Sequence, residues 1–209
     1  MSKKLIITMV LVMSIIGSIM AFAAPTDIPL NGTGAGVGAP QITATDHLGV
    51  KFAVPEGKVL LKFSIVNMPT YESNNAYYTF KLFAWNTDFD TTVSGTPLYT
   101  KKVENQHDNV TATFEFPEAL PAGEYLAHVS EGGVTEGTGC PAVWTSGPKE
   151  GVTTFWSGKQ RDDFTANVAI TVDDAPNPQT SDSILILPFV LAVMLPVAVL
   201  TNTRKSVSA

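Results

Sequence analysis

Three histidines, one cysteine and a scatter of carboxylates are what this chain offers for acid–base or nucleophilic chemistry. His47, His107 and His128 stand in unrelated segments, with neither a G-x-S-x-G elbow nor an H-E-x-x-H helix beside them. Cys140 lies between Thr138-Gly139 and Pro141 without a catalytic signature, and reads as a free loop thiol or a small buried residue. Glu115, Glu118 and Glu124 are the acids from which a glycosidase pair would be drawn. On an alternating strand such acids usually form the solvated face, so the chain is expected not to be an enzyme.

Binding chemistry has more to work with. Trp85 to Val93 ends an aromatic run in a polar loop carrying Asp88 and Asp90, and Asn105 to Asn109 forms a second loop with Asp108 and Asn109. These are hard oxygen donors of the kind calcium takes. If the two loops met at one end of the fold, Asp88, Asp90, Asp108 and Asn109 would clamp one ion. Their spacing is not that of an EF-hand, and Asx-turn capping of each loop is the competing reading. Calcium is the one cofactor the sequence suggests. Sugar recognition needs flat aromatic faces with amides or acids nearby, and Tyr71, Trp85, Trp144 and Trp156 are the candidates. Tyr71 and Trp144 sit among loop residues and are favoured, whereas Tyr78, Phe80 and Phe83 lie within a strand pattern and are expected to pack in a core.

The elements that must position these groups read as strands. Val59–Val66, Tyr77–Trp85, Val110–Phe116, Tyr125–Val129, Val152–Trp156 and Phe164–Val172 are rich in β-branched and aromatic residues. Pro55-Glu56-Gly57, Ser94-Gly95-Thr96-Pro97, Pro121-Ala122-Gly123, Gly132-Gly133 and Ser157-Gly158-Lys159 punctuate them as turns. In the run Leu120 to Leu126, the Tyr125 ring is expected to pack and its hydroxyl to find a partner. Short strands with Gly/Pro punctuation and no ten-residue helical pattern predict an all-β fold, a sandwich or jelly roll.

The two ends read as addresses. Lys3-Lys4, the apolar run to Phe22 and Ala21-Phe22-Ala23 predict an N-terminal signal peptide over 1–23. Residues 24–45, with Asn31 to Gly38 rich in glycine, read as a flexible opening segment, and 46–172 as the sandwich ectodomain. A linker follows over 173–183. Residues 184–200 carry no charge and predict a C-terminal hydrophobic, membrane-spanning helix, and 201–209 form a basic tail held inside by Arg204 and Lys205.

Composition narrows the function further. The chain of 209 residues carries a formal charge of −6, and the stretch from Ala24 to Thr180 holds 9 basic and 18 acidic residues, a net −9. Nucleic acid needs a basic surface and is excluded as a partner. One cysteine cannot form an internal disulfide, which suits a bacterial surface protein.

Two resemblances sharpen this reading. Asn177-Pro178-Gln179-Thr180-Ser181, the apolar span and the basic tail together resemble a Gram-positive cell-wall sorting signal of the class B sortase variety, with Ser181 where Gly or Asn is usual. That resemblance implies attack by a sortase-like transpeptidase on the Thr180 carbonyl and transfer of Thr180 to a cell-wall amine. A plain membrane anchor is the alternative. The order Met68-Pro69-Thr70-Tyr71, Phe80 to Phe89, Thr91 to Pro97, Asp108-Asn109, Leu120 to Leu126, Ala142-Val143-Trp144 and Gly151 to Lys159 resembles the jelly-roll, carbohydrate-binding-module-like accessory domains of bacterial glycoside hydrolases and surface proteins. It implies a β-sandwich of carbohydrate-binding type without a catalytic site. The expected protein is exported, tethered at the cell surface, and binds an extracellular glycan. The alternative is a structural or adhesive surface protein that binds a protein partner.

Overall fold

Leu48, Val50, Phe52 and Val54 alternate with Gly49, Lys51 and Ala53, and this period of two decides which way each side chain points. The first set is buried in the main core. The same logic builds every long strand of the computed structural model, which describes residues 24–71 and 74–176. The signal-peptide segment 1–23, the sorting motif Asn177 to Thr180, the span 184–200 and the tail 201–209 lie outside the described residues.

Fourteen strands and one short helix follow in chain order among the described residues. They are β1 (Thr26–Pro29), β2 (Leu48–Val54), β3 (Lys58–Met68), β4 (Thr70–Tyr71) and β5 (Ala76–Ala84), then helix α1 (Phe89–Val93). After it come β6 (Tyr99–Gln106), β7 (Val110–Leu120), β8 (Gly123–Val134), β9 (Cys140–Pro141) and β10 (Thr145–Ser146). The last four are β11 (Thr153–Trp156), β12 (Lys159–Arg161), β13 (Thr165–Ala166) and β14 (Val168–Asp174). The described residues are mostly β, with one short helix. A four-stranded sheet runs β1-β14-β3-β7 and a six-stranded sheet runs β12-β11-β2-β8-β5-β6, with β10-β13 and β4-β9 as two small ribbons. Every strand pair is antiparallel.

The inner faces of the two large sheets meet through aromatic rings. Phe52 of β2 lies 5.6 Å from Phe63 of β3, and Phe63 lies 5.4 Å from Phe80 of β5. Phe80 stacks on Phe114 of β7 at 3.8 Å with ring planes 8° apart. Burial of such rings supplies the largest apolar term in a core. The predicted strand interior at Tyr78, Phe80 and Phe83 is buried as expected, although Phe83 points to the opposite face of its sheet from the other two. There it joins Phe89, Leu126 and Phe155 in a second cluster beneath α1. Tyr125 packs in the main core and its hydroxyl donates to the Pro121 carbonyl at 2.6 Å, the geometry of a tyrosine corner.

Residues 24–45 are not a loose lead-in. β1 pairs with β14, Leu30 and Ile42 are core residues, and Ala35 and Gln41 form bridges to Ser146 and Ala142. Two of its glycines are there for close approach: a Cβ at Gly32 would strike the carbonyls of Gly147 and Pro148, and one at Gly36 would strike Thr145. Gly34 and Gly38 face open space and take a positive φ instead. Among the described residues the paired strands run from β1, before residue 46, to Asp174 of β14, two residues past 172.

Register also defines two poles. At the basal pole Thr26 pairs with Val172, and Asp174 with Lys58. At the apical pole Met68 pairs with Val110, Ala76 with Gln106, and Tyr71 with Cys140. The 11 residues of β3 join the poles over roughly 33 Å.

Candidate functional site

The apical pole gathers exposed apolar side chains. Among the described residues five large hydrophobics are exposed, Val37, Tyr71, Leu98, Val110 and Trp144, and the contacts of all but Leu98 place them at this end. Tyr71 and Trp144 are 38% and 39% exposed, enough to offer a ring to a ligand while the rest of each side chain is packed. Tyr71 comes from ribbon β4-β9 and Trp144 from the short connection between β9 and β10, whose Thr145 accepts a bond from the backbone of Val37 at 3.0 Å.

A chain of hydrogen bonds links the segments that carry the two rings. The Trp144 indole Nε1–H donates to Asn109 Oδ1 at 2.9 Å, and Asn109 Nδ2 donates to Asp108 Oδ2 at 2.9 Å. Asp108 Oδ1 accepts the backbone N–H of Thr70, next to Tyr71, at 2.8 Å. The Tyr71 hydroxyl donates to the Ala39 carbonyl at 3.3 Å, and the Asp108 N–H donates to Asn74 Oδ1 at 3.2 Å. Asn109 takes a left-handed φ of 55°, which asparagine tolerates and which lets the β6–β7 turn aim its amide at the indole. With both polar tips satisfied inside the protein, the rings present mainly their carbon surfaces to solvent. Such a platform suits the C–H face of a sugar or an apolar side chain.

The remaining predicted residues lie elsewhere. Trp85 follows β5 at the basal pole, half-buried, stacked on Phe155 at 5.7 Å with the Lys51 ammonium 4.6 Å above its ring. Lys51 thus occupies a face a sugar would need. Trp156 pairs with Leu48 and packs against the main core. Neither joins the apical pair.

The oxygen donors are divided in the same way. Asp88 and Asp90 follow the Ala84 end of β5, whereas Asp108 and Asn109 follow Gln106, which pairs with the Ala76 end. The Asp88–Asp90 segment turns back over the outer face of the six-stranded sheet, with Asp90 beside His47 and Gly158, whereas Asp108 and Asn109 contact Thr70, Asn74 and Trp144. These contacts do not bring the four donors together. Asp88 instead caps α1, accepting the Thr91 N–H at 2.8 Å, which holds its carboxyl below the usual aspartate value. Among the described residues no three His, Cys, Asp or Glu side chains converge as a metal site.

Sequence reading missed a second polar feature. His128 of β8 and His47, just before β2, meet with Nε2 and Nδ1 3.1 Å apart, beneath Phe89 of α1. Neither spacing nor segment type ties position 47 to 128; only pairing of β2 with β8, Leu48 opposite Val129, brings them together. Of the acids considered for catalysis, Glu115 pairs with Lys62 at 2.6 Å on the small sheet and Glu124 with Lys51 at 2.8 Å on the large one. They belong to different sheets and do not face one another. Cys140 is buried, which pushes its thiol up and away from the thiolate. Beside β12, a shallow depression is lined by Lys149, Arg161, Asp162 and Phe164. Its Arg161 is already engaged, stacked on Phe164 at 4.9 Å and paired with Asp163 at 2.8 Å.

Among the described residues no helix is long and apolar enough to cross a membrane. In comparisons with known proteins no family model matches the chain, and no curated protein matches it.

Proposed function

We propose that this is an exported, surface-tethered, non-catalytic binding protein whose domain is a sandwich of the jelly-roll, carbohydrate-binding-module-like kind and whose ligand is an extracellular glycan. The observation that carries the reading is the relay from Trp144 through Asn109 and Asp108 to the Thr70 backbone beside Tyr71, which ties together the segments of two exposed rings. Prearrangement lowers the entropy lost when a flexible sugar docks. The net −9 of the Ala24–Thr180 stretch favours a neutral glycan over an acidic one.

The position of the poles supports the same reading. The chain leaves β14 at the basal pole, so a tether beyond Asp174 would leave the aromatic end facing outward. A sortase-like transpeptidase acting at Thr180 would make that tether covalent to the cell wall; without it, the span 184–200 would retain the protein in the membrane.

Val37 and Val110, both more than half exposed beside the rings, favour a second reading in which the same surface grips a protein partner. A glycan array with the wild-type protein and with Tyr71→Ala and Trp144→Ala separates the two. Retention on a neutral glycan that either substitution weakens about tenfold, a change of 1.4 kcal/mol, supports the first. A partner pulled down in its place, with no glycan retained, supports the second. Mass spectrometry of muralytic digests decides the anchor: a Thr180-terminated peptide bearing cell-wall amine is expected, and an intact Arg204-containing tail overturns it.

A further inference from the structure

On the outer face of the six-stranded sheet, the short helix α1 is held down over a pair of histidines. Phe89 is the contact residue of α1: it stacks on His47 at 5.6 Å, meets His128 edge-on at 5.7 Å and tilts against Phe155 at 5.1 Å. Gly49 beneath it leaves the room the ring needs, since a Cβ there would come within 2.6 Å of Phe89. The rest of α1 is light. It is five residues long, only Phe89 and Thr92 are buried, and Thr92 ties it to the carbonyls of Asn86 and Asp88.

The histidine pair is built for the neutral state. One proton can lie between His128 Nε2 and His47 Nδ1, whereas two imidazolium rings would point two donors at each other. His128 Nδ1 is buried with no hydrogen-bond partner, so a proton added there meets no acceptor. The charged groups around the pair oppose one another. Lys81, opposite His128 on β5, disfavours a second positive charge, and Glu131 of β8 favours it. Asp46 and Asp90 favour charge on His47, but Asp46 already accepts from Thr43 and Ser157. Burial outweighs the acids at both rings, pushing His47 down and His128 down to about 4.

From this geometry we infer that α1 is an acid-released flap: protonation of both His47 and His128 breaks their hydrogen bond, lifts Phe89, and uncovers Phe83, Leu126 and Phe155 while the inner core stays closed. The released surface is apolar and lies on a different face of the protein from the Tyr71–Trp144 pair. The inference therefore stands whether or not that pair binds glycan.

The test follows imidazole tautomers by long-range proton–nitrogen NMR and amide exchange in the full chain from pH 7 to 3.5. The expected result is a loss of the Nε2–Nδ1 pairing with a midpoint close to 4, accompanied by at least a tenfold fall in the protection factors, taken against the intrinsic rate at each pH, of the Thr92 and Ser94 amides. Amides of β5 should stay protected over the same range. In His128→Phe, which fills the aromatic box without a titrating group, α1 should remain protected to the lowest pH. Should His128→Phe fail to fold, His47→Asn serves, and α1 exchange should then lose its shared midpoint with His128. Titration of His128 with no change at α1, or simultaneous loss of β5 protection, overturns the flap.

Discussion

Trp144 and Asn109, 35 residues apart in the chain, are joined by a 2.9 Å hydrogen bond from the indole nitrogen to the amide oxygen. The bond ties the β9–β10 connection to the β6–β7 turn and sets the attitude of the most exposed tryptophan contact at the apical pole. Asn109→Ala should free the indole N–H to water. Since the site is half-exposed, the stability loss should be small, about 1 kcal/mol in urea denaturation. The larger effect should be on Trp144 itself, with red-shifted emission and several-fold weaker ligand retention. Unchanged retention would mean the relay does not position the ring.

Tyr125→Phe removes only the hydroxyl that donates to Pro121. The ring stays packed on Phe52 at 6.0 Å, so the loss should be confined to one short hydrogen bond at a strand corner, about 1 kcal/mol. A midpoint shift in denaturant with an unaltered slope is the expected signature.

Most of the strand framework was readable. Tyr77–Trp85 and Val59–Val66 match β5 and β3 to within one or two residues, because their apolar residues face a buried core. β6 was not readable: its inward Tyr99 and Val103 are separated by Thr100, Lys101 and Lys102, and an exposed edge strand shows little alternation. β2 does alternate, yet Gly49 and Lys51 in its middle look like a turn. Of the candidate site, Tyr71 and Trp144 could be chosen as loop aromatics, but Asp108 and Asn109 looked like ion ligands. Their actual partners, Thr70 and Trp144, are set by strand pairing at long range, which no local spacing encodes.

Gly32→Ala tests the packed opening segment. The added methyl would meet two carbonyl oxygens, and the backbone from Leu30 to Ala35 would have to move off Gly147 and Pro148. A loss of about 1–3 kcal/mol is expected. Gly34→Ala has open space for its methyl but a φ of 91°, so its effect should come from backbone strain alone, about 1 kcal/mol. No loss at Gly32 would return the segment to a free linker.

Asp88 gives a pH-dependent prediction. Its carboxylate is stabilised by the Thr91 N–H, so the folded state holds it ionised to lower pH than the unfolded chain does. That contribution is complete above the ordinary aspartate value and disappears as the pH falls through the depressed one. Asp88→Asn keeps a capping oxygen without the charge. The gap in melting temperature between wild type and variant should be widest near pH 6 and should close toward pH 3. A gap constant over that range would refute a role for the charge.

The pairing of β14 has a mechanical consequence. Its first residue, Val168, lies beside the apical Trp144 segment, where the Asn167 N–H donates to the Trp144 carbonyl, and its last residue, Asp174, is where the chain leaves the basal pole. β14 is flanked by β3 on one side and β1 on the other. A pull between an object held at the top and an anchor below would therefore run along this strand. Its ladders on both sides would be loaded in shear together, so no single bond would peel first.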